Sequence, residues 1–105
     1  SAFKKRRDLI VKSLNDIDNI KCIKPKGAFY AFPDFSSYLN TYADGKPIAD
    51  TFDISEYLLR EARVVTVPGD GFGAPGHIRF SYAVSSDTIK KGMNKLRLAL
   101  NKLTK

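Results

Sequence analysis

The sequence predicts an α+β fold: a small, mostly antiparallel sheet covered by helices. Three observations carry this expectation. Ile89, Met93, Leu96, Leu100 and Leu103 step by four, three, four and three, the spacing of one buried face of a helix. The stretch "HIRFSYA", His77 to Ala83, alternates Ile78, Phe80 and Tyr82 against His77, Arg79 and Ser81, the period of a half-buried strand. The periodic segments follow one another as helix, strands, helix, strand, strand, helix, which implies hairpin-like strand contacts beneath a helical layer.

Taken in order, Phe3 to about Asn19 reads as an amphipathic helix, with Phe3, Ile10, Leu14 and Ile17 on one face. In "CIKPKGAFYAFPDF", Pro25 and Gly27 punctuate the chain. Ala28 to Phe32 is a continuous apolar run that predicts a strand buried on both faces and ended by Pro33. The polar segment "SSYLNTYADGKPIAD" is expected to loop over the surface, with Asp44-Gly45 as a turn. Asp53, followed three residues later by Glu56, resembles a capping box that opens the next helix, with Phe52 and Tyr57 as a hydrophobic staple. Ile54, Leu58 and Ala62 form its buried stripe, and it should stop near Arg63. Val64 to Val67, "VVTV", is β-branched and predicts a strand. Ser86 is the expected N-cap of the last helix, with Asp87 favouring its positive end.

At 105 residues the chain is one domain, with seven Phe and five Tyr to fill a modest core. No apolar run is long enough to span a membrane and no signal-peptide pattern is present, so no membrane partner is expected. Cys22 is the only cysteine, which excludes an internal disulfide, fits a reducing compartment and reads as a small core or strand residue. One His and one Cys make no metal-ligand set, so no metal site is expected. The net charge of +7 raises nucleic acid as a partner. However, the basic residues gather on the two terminal helices (Lys4, Lys5, Arg6, Arg7; Lys90, Lys91, Lys95, Arg97, Lys102, Lys105), where charge runs form solvated faces, and no nucleic-acid-binding signature accompanies them.

Gly71-Phe72-Gly73-Ala74-Pro75-Gly76 is a literal G-x-G-x-x-G. Such a loop holds a pyrophosphate only where it opens a helix, and this one leads into an alternating strand, so a connecting turn is expected. Arg79 is the residue of interest. It stands mid-strand among apolar neighbours, where a guanidinium is costly to bury unless it meets an anion, and its planar fork suits a carboxylate. On residue types alone an internal Asp or Glu partner, or an edge strand with the head in water, is the favoured reading.

In their order and spacing, "RRD" (Arg6 to Asp8), "PKGAFYAFPDF" (Pro25 to Phe35), "LLREARVVTVPGDGFG" (Leu58 to Gly73) and "GHIRFSYA" (Gly76 to Ala83) are together similar to the C-terminal small domain of class I aminotransferases, the pyridoxal phosphate (PLP)-dependent enzymes of the aspartate aminotransferase fold. The resemblance implies that residues 1–105 are one such domain, with the large PLP-binding domain absent. It also implies that Arg79 binds the substrate α-carboxylate in a "G-x-x-R-x-S-Y-A" strand. The cofactor lysine and the residues that hold the PLP ring belong upstream, so no catalytic and no cofactor-binding residue is expected here, and no PLP on this chain alone. The implied whole enzyme is a cytoplasmic homodimer that transfers an amino group between an amino acid, aspartate above others, and a 2-oxo acid such as 2-oxoglutarate. A stand-alone basic α+β module binding nucleic acid or another anionic partner is the alternative expectation.

Overall fold

In the computed structural model, which describes residues 2–22, 30–81 and 85–105, the elements run in the following order. They are α1 (Ala2–Asn15), β1 (Tyr30–Ala31), a 3₁₀ turn (Ser36–Tyr38), β2 (Thr41–Ala43), β3 (Lys46–Ile48), α2 (Thr51–Ala62), β4 (Val67–Pro68), a second 3₁₀ turn (Gly69–Phe72), β5 (Ile78–Ser81) and α3 (Ser86–Asn101). The main sheet has the order β1-β5-β4, with both pairings antiparallel. Tyr30 stands opposite Ser81 and Ala31 opposite Phe80, while Val67 stands opposite Arg79 and Pro68 opposite Ile78. The α+β architecture with a small antiparallel sheet is therefore as the periodicities predict.

The leucine seam explains how the layers join. Ile89, Met93, Leu96 and Leu100 are buried along α3, which packs against both α1 and α2. Ile10 and Leu14 of α1 and Ile54, Tyr57 and Leu58 of α2 meet that seam in one core. The sheet closes the core from its other side with Ala31, Ile78 and Phe80, and the Phe80 ring stacks on Phe35 at 5.8 Å between centroids. Tyr57 brings a polar atom into this core that has to be satisfied: its hydroxyl donates to the Ala99 carbonyl at 2.7 Å, tying α2 to α3.

Several boundaries differ from the sequence reading, each for a physical reason. α1 ends at Asn15, not Asn19, because the Asn15 side chain turns to bracket the Cys22 backbone, accepting from its N–H at 2.8 Å and donating to its carbonyl at 3.0 Å. The polar segment after Phe35 is not a plain loop. β2 and β3 form a hairpin whose Asp44-Gly45 turn has positive φ at both residues (51° and 81°), the conformation that matches the twist of paired strands. Thr104 adds to its edge, exchanging backbone hydrogen bonds with Tyr42.

The N-cap of α2 is Asp50, which accepts from the Asp53 amide at 3.0 Å, so Asp53 lies inside the first turn and accepts from Ala49 instead. The expected staple fails with that shift: Tyr57 is buried but Phe52 is 52% exposed. The helix stops where expected, with Arg63 in the left-handed region at φ 56°. The "VVTV" strand shrinks to Val67–Pro68, since β5 offers pairing to those two residues alone, and Val65 is exposed. Ser85 rather than Ser86 caps α3, accepting from the Thr88 amide. Pro25, Gly27, Ala28, Phe29, Tyr82, Ala83 and the side chain of Phe3 lie outside the described residues.

Candidate functional site

The site is built on β5. Ile78 and Phe80 are fully buried, so alternation turns Arg79 and Ser81 to the opposite face of the sheet. Antiparallel register then decides what Arg79 meets. Tyr30, paired with Ser81, projects from the same face and stands diagonal to Arg79. The Arg79 guanidinium carbon lies over the Tyr30 ring, 4.3 Å from its centroid, within cation–π range. Beyond β1, the Phe32 ring stacks on His77 at 5.2 Å, and His77 Nδ1 lies 3.0 Å from the Pro75 carbonyl oxygen. Sheet pairing thus gathers a guanidinium, an imidazole and two aromatic rings. Tyr30 and Phe32 are 42% and 37% exposed, while Ala31 between them is buried. This corrects the expectation that Ala28 to Phe32 is buried on both faces: the described part of the run has one buried and one open face.

The glycine loop holds this face from behind. After β4 the chain winds through the 3₁₀ turn and returns as β5, so the G-x-G-x-x-G opens a strand and serves as a connector. The Gly69 amide donates to the His77 carbonyl at 2.7 Å, and the Ala74 amide to the Gly69 carbonyl at 2.9 Å. Here glycine is needed for space: a Cβ at Gly69 would overlap the carbonyl oxygens of Ala74 and His77. Asp70 fastens the loop outward, accepting from the Thr51 amide at 2.8 Å and from the Gly76 amide at 3.3 Å. The Thr51 amide, more than any other contact, holds the Asp70 carboxyl below its ordinary range.

Asp34 lies near the same edge, its backbone bridging to both Lys21 and His77. Its carboxyl is also held below the ordinary range, first by the Ser36 hydroxyl, then by the Ser36 amide, with smaller help from the His77 and Lys21 charges. Cys22 is buried, and burial pushes its thiol up against the lowering pull of the Phe32 amide; that is the environment of an inert core thiol. Among the described residues no group of three or more His, Cys, Asp or Glu is placed to hold a metal, and no helix is long and apolar enough to cross a membrane.

A mid-strand guanidinium beside aromatic rings, on an open sheet face backed by a packed core, suits a planar anion such as a carboxylate. The aminotransferase class I and II family model matches residues 1–96. The chain belongs to that family.

Among aminotransferase relatives, the chain is 41% identical over 103 residues to a probable aspartate/prephenate aminotransferase of Aquifex aeolicus, covering 98% of this chain and 25% of that protein. It is 39% identical over 100 residues to an aspartate aminotransferase of Streptomyces avermitilis, covering 95% of this chain and 24% of that one. The crystal structure of the aspartate aminotransferase from Rhizobium meliloti superposes with a TM-score of 0.93 at 39% identity, over 97% of this chain and 26% of that chain. The chain thus spans about a quarter of the length of these aminotransferases.

Class I aminotransferases are generally PLP-dependent. A lysine that binds this cofactor covalently sits in an enclosed site, whereas every described lysine of this chain is exposed. Sequence reasoning singled out Arg79 but missed Tyr30, Phe32 and His77. The available signal was the i, i+2 spacing of Tyr30 and Phe32 around the small Ala31.

Proposed function

We propose that this chain is the substrate-binding small domain of a PLP-dependent aminotransferase, in which Arg79 takes the α-carboxylate of the amino-acid and 2-oxo-acid substrates. The observation that carries the reading is the placement of Arg79, held mid-strand on the face of β5 that turns away from Ile78 and Phe80. The feature shared by every amino acid and its 2-oxo acid is a planar carboxylate, which a guanidinium fork recognises with two parallel hydrogen bonds. A rigid strand is the right mount, because the clamp must fix the direction of the substrate's Cα–H bond relative to groups on a neighbouring domain. The remaining three-quarters of the relatives' length leaves room for that domain, which in this reading holds the cofactor and its lysine. Closure of one domain on the other would exclude water from the substrate.

Aspartate with 2-oxoglutarate is the favoured substrate pair, supported by the names of the Aquifex and Streptomyces relatives. The functional unit in this reading is a homodimer. The test uses the polypeptide that joins this chain to its cofactor-binding domain. Arg79→Ala should raise KM for amino acids and 2-oxo acids alike and lower kcat/KM, while the absorbance of bound PLP persists. Loss of the cofactor with unchanged carboxylate affinity would overturn the reading.

A further inference from the structure

We infer that Tyr30 is a positioning residue for Arg79: its ring sets the attitude of the guanidinium that receives the carboxylate. The inference rests on the proposed role of Arg79 and deepens it. A strand fixes the Arg79 backbone but not its long side chain, and a clamp that orders itself only on binding loses affinity to that ordering. The Tyr30 ring supplies a restraint on that side chain, lying 4.3 Å from the guanidinium carbon.

Two features make the contact suited to this task. The ring attracts the cation through its π face and occupies none of the N–H donors in the plane of the fork, whereas a carboxylate neighbour would compete with substrate for them. The ring is itself well placed. Ala31 is buried against the core and Tyr30 faces the small Ser81 across the ladder, so the ring can lean along the diagonal toward Arg79. The Phe32–His77 stack steadies the chain just beyond β1.

The experiment uses the full-length, cofactor-loaded protein and the unreactive dicarboxylate maleate, with binding followed by calorimetry. Tyr30→Leu should weaken maleate roughly 3- to 30-fold and raise KM for amino acids more than it changes kcat. Tyr30→Phe should recover most of the loss, since the ring is kept. In an Arg79→Met background, Tyr30→Leu should cost nothing further, because its effect passes through Arg79. Phenylalanines of increasing fluorination at position 30 keep the shape but thin the π density, and maleate affinity should fall stepwise along that series; this covers a Tyr30→Leu protein that does not fold. Unchanged maleate binding in a folded Tyr30→Leu, an equal loss in the Arg79→Met background, or a flat fluorination series would each overturn the inference. If Arg79→Met itself leaves maleate binding intact, the carboxylate reading falls first and takes this inference with it. If only the Tyr30 variants are silent, the carboxylate reading stands alone.

Discussion

Thr51 and Asp70 grip each other in both directions: the Thr51 amide donates to the Asp70 carboxylate at 2.8 Å, and the Asp70 amide donates to the Thr51 hydroxyl at 3.1 Å. Thr51 is the first residue of α2 and fully buried. The amides of the helix's first turn thus meet two carboxylates from outside it, Asp50 from its own chain entry and Asp70 from the loop after β4. Because the same loop feeds β5, the grip fixes the strand that carries Arg79 to a helix of the core.

This arrangement should show itself in acid. Asp70 and Asp34 both have folded-state pKa values below the ordinary carboxylate range of about 4. Below that range the unfolded chain binds protons that the folded chain refuses, so the stabilisation is fully present above pH ~4 and drains away as pH falls through the depressed folded values. The urea midpoint should stay level from neutral pH down to about pH 5 and then drop. Asp70→Asn should lower the neutral midpoint and flatten the acid limb. Parallel wild-type and variant curves below pH 4 would remove Asp70 from this role.

Gly69→Ala tests the close backbone packing behind the site. The added methyl meets carbonyl oxygens of Ala74 and His77, not the flexible end of a side chain, so backbone has to move. Overpacking of this kind costs about 1–3 kcal/mol. Gly73→Ala is the control: Gly73 has a positive φ of 80° but open space around it, so the cost there is conformational strain alone, about 1 kcal/mol. Chemical denaturation of both variants should place Gly69→Ala as the more damaging, and an equal or reversed order would show that the loop yields at Gly69.

Phe80→Ala should be among the costliest single changes. The ring is 2% exposed, stacks on the fully buried Phe35, and joins the sheet to the helical layer. Deleting a buried phenylalanine typically costs about 3–5 kcal/mol, a large part of the stability of a domain this size. Phe80→Leu, which keeps most of the volume, should lose far less. Similar denaturation midpoints for the two variants would mean that the site collapses around the cavity.

Comparison of Arg79 with Tyr30 shows what was legible in the sequence and why the rest was not. Local alternation alone put Arg79 on the face opposite Ile78 and Phe80, because a strand's two faces are fixed by a period of two. The α3 seam was equally plain. Tyr30 could not be placed beside Arg79 in this way, since their meeting depends on the antiparallel register of two strands far apart in the sequence. The start of α2 was ambiguous for another reason: Asp50, Asp53 and Glu56 repeat every three residues, so a capping pattern fits two registers, and Asp70 favours one of them from a distance. The β2–β3 hairpin was hidden by its brevity and by Pro47, although Asp44-Gly45 signalled its turn.

The most direct prediction concerns what Arg79 discriminates. If its guanidinium takes the α-carboxylate, the full-length protein should strongly prefer an amino acid over the amine that lacks only that group. The amine offers the guanidinium no carboxylate, and pairing it with the acid contributes on the order of 10²-fold or more in kcat/KM. Arg79→Ala removes the group that tells the two apart, so activity on the acid should collapse while the slow reaction of the amine changes little. Arg79→Lys keeps a charge but loses the two-pronged geometry, and should recover part of the preference. Competition assays pairing aspartate with 3-aminopropanoate, and alanine with ethylamine, would give the ratio for each variant. A preference that survives Arg79→Ala in full would assign the carboxylate to another residue and leave Arg79 as a structural cation over Tyr30.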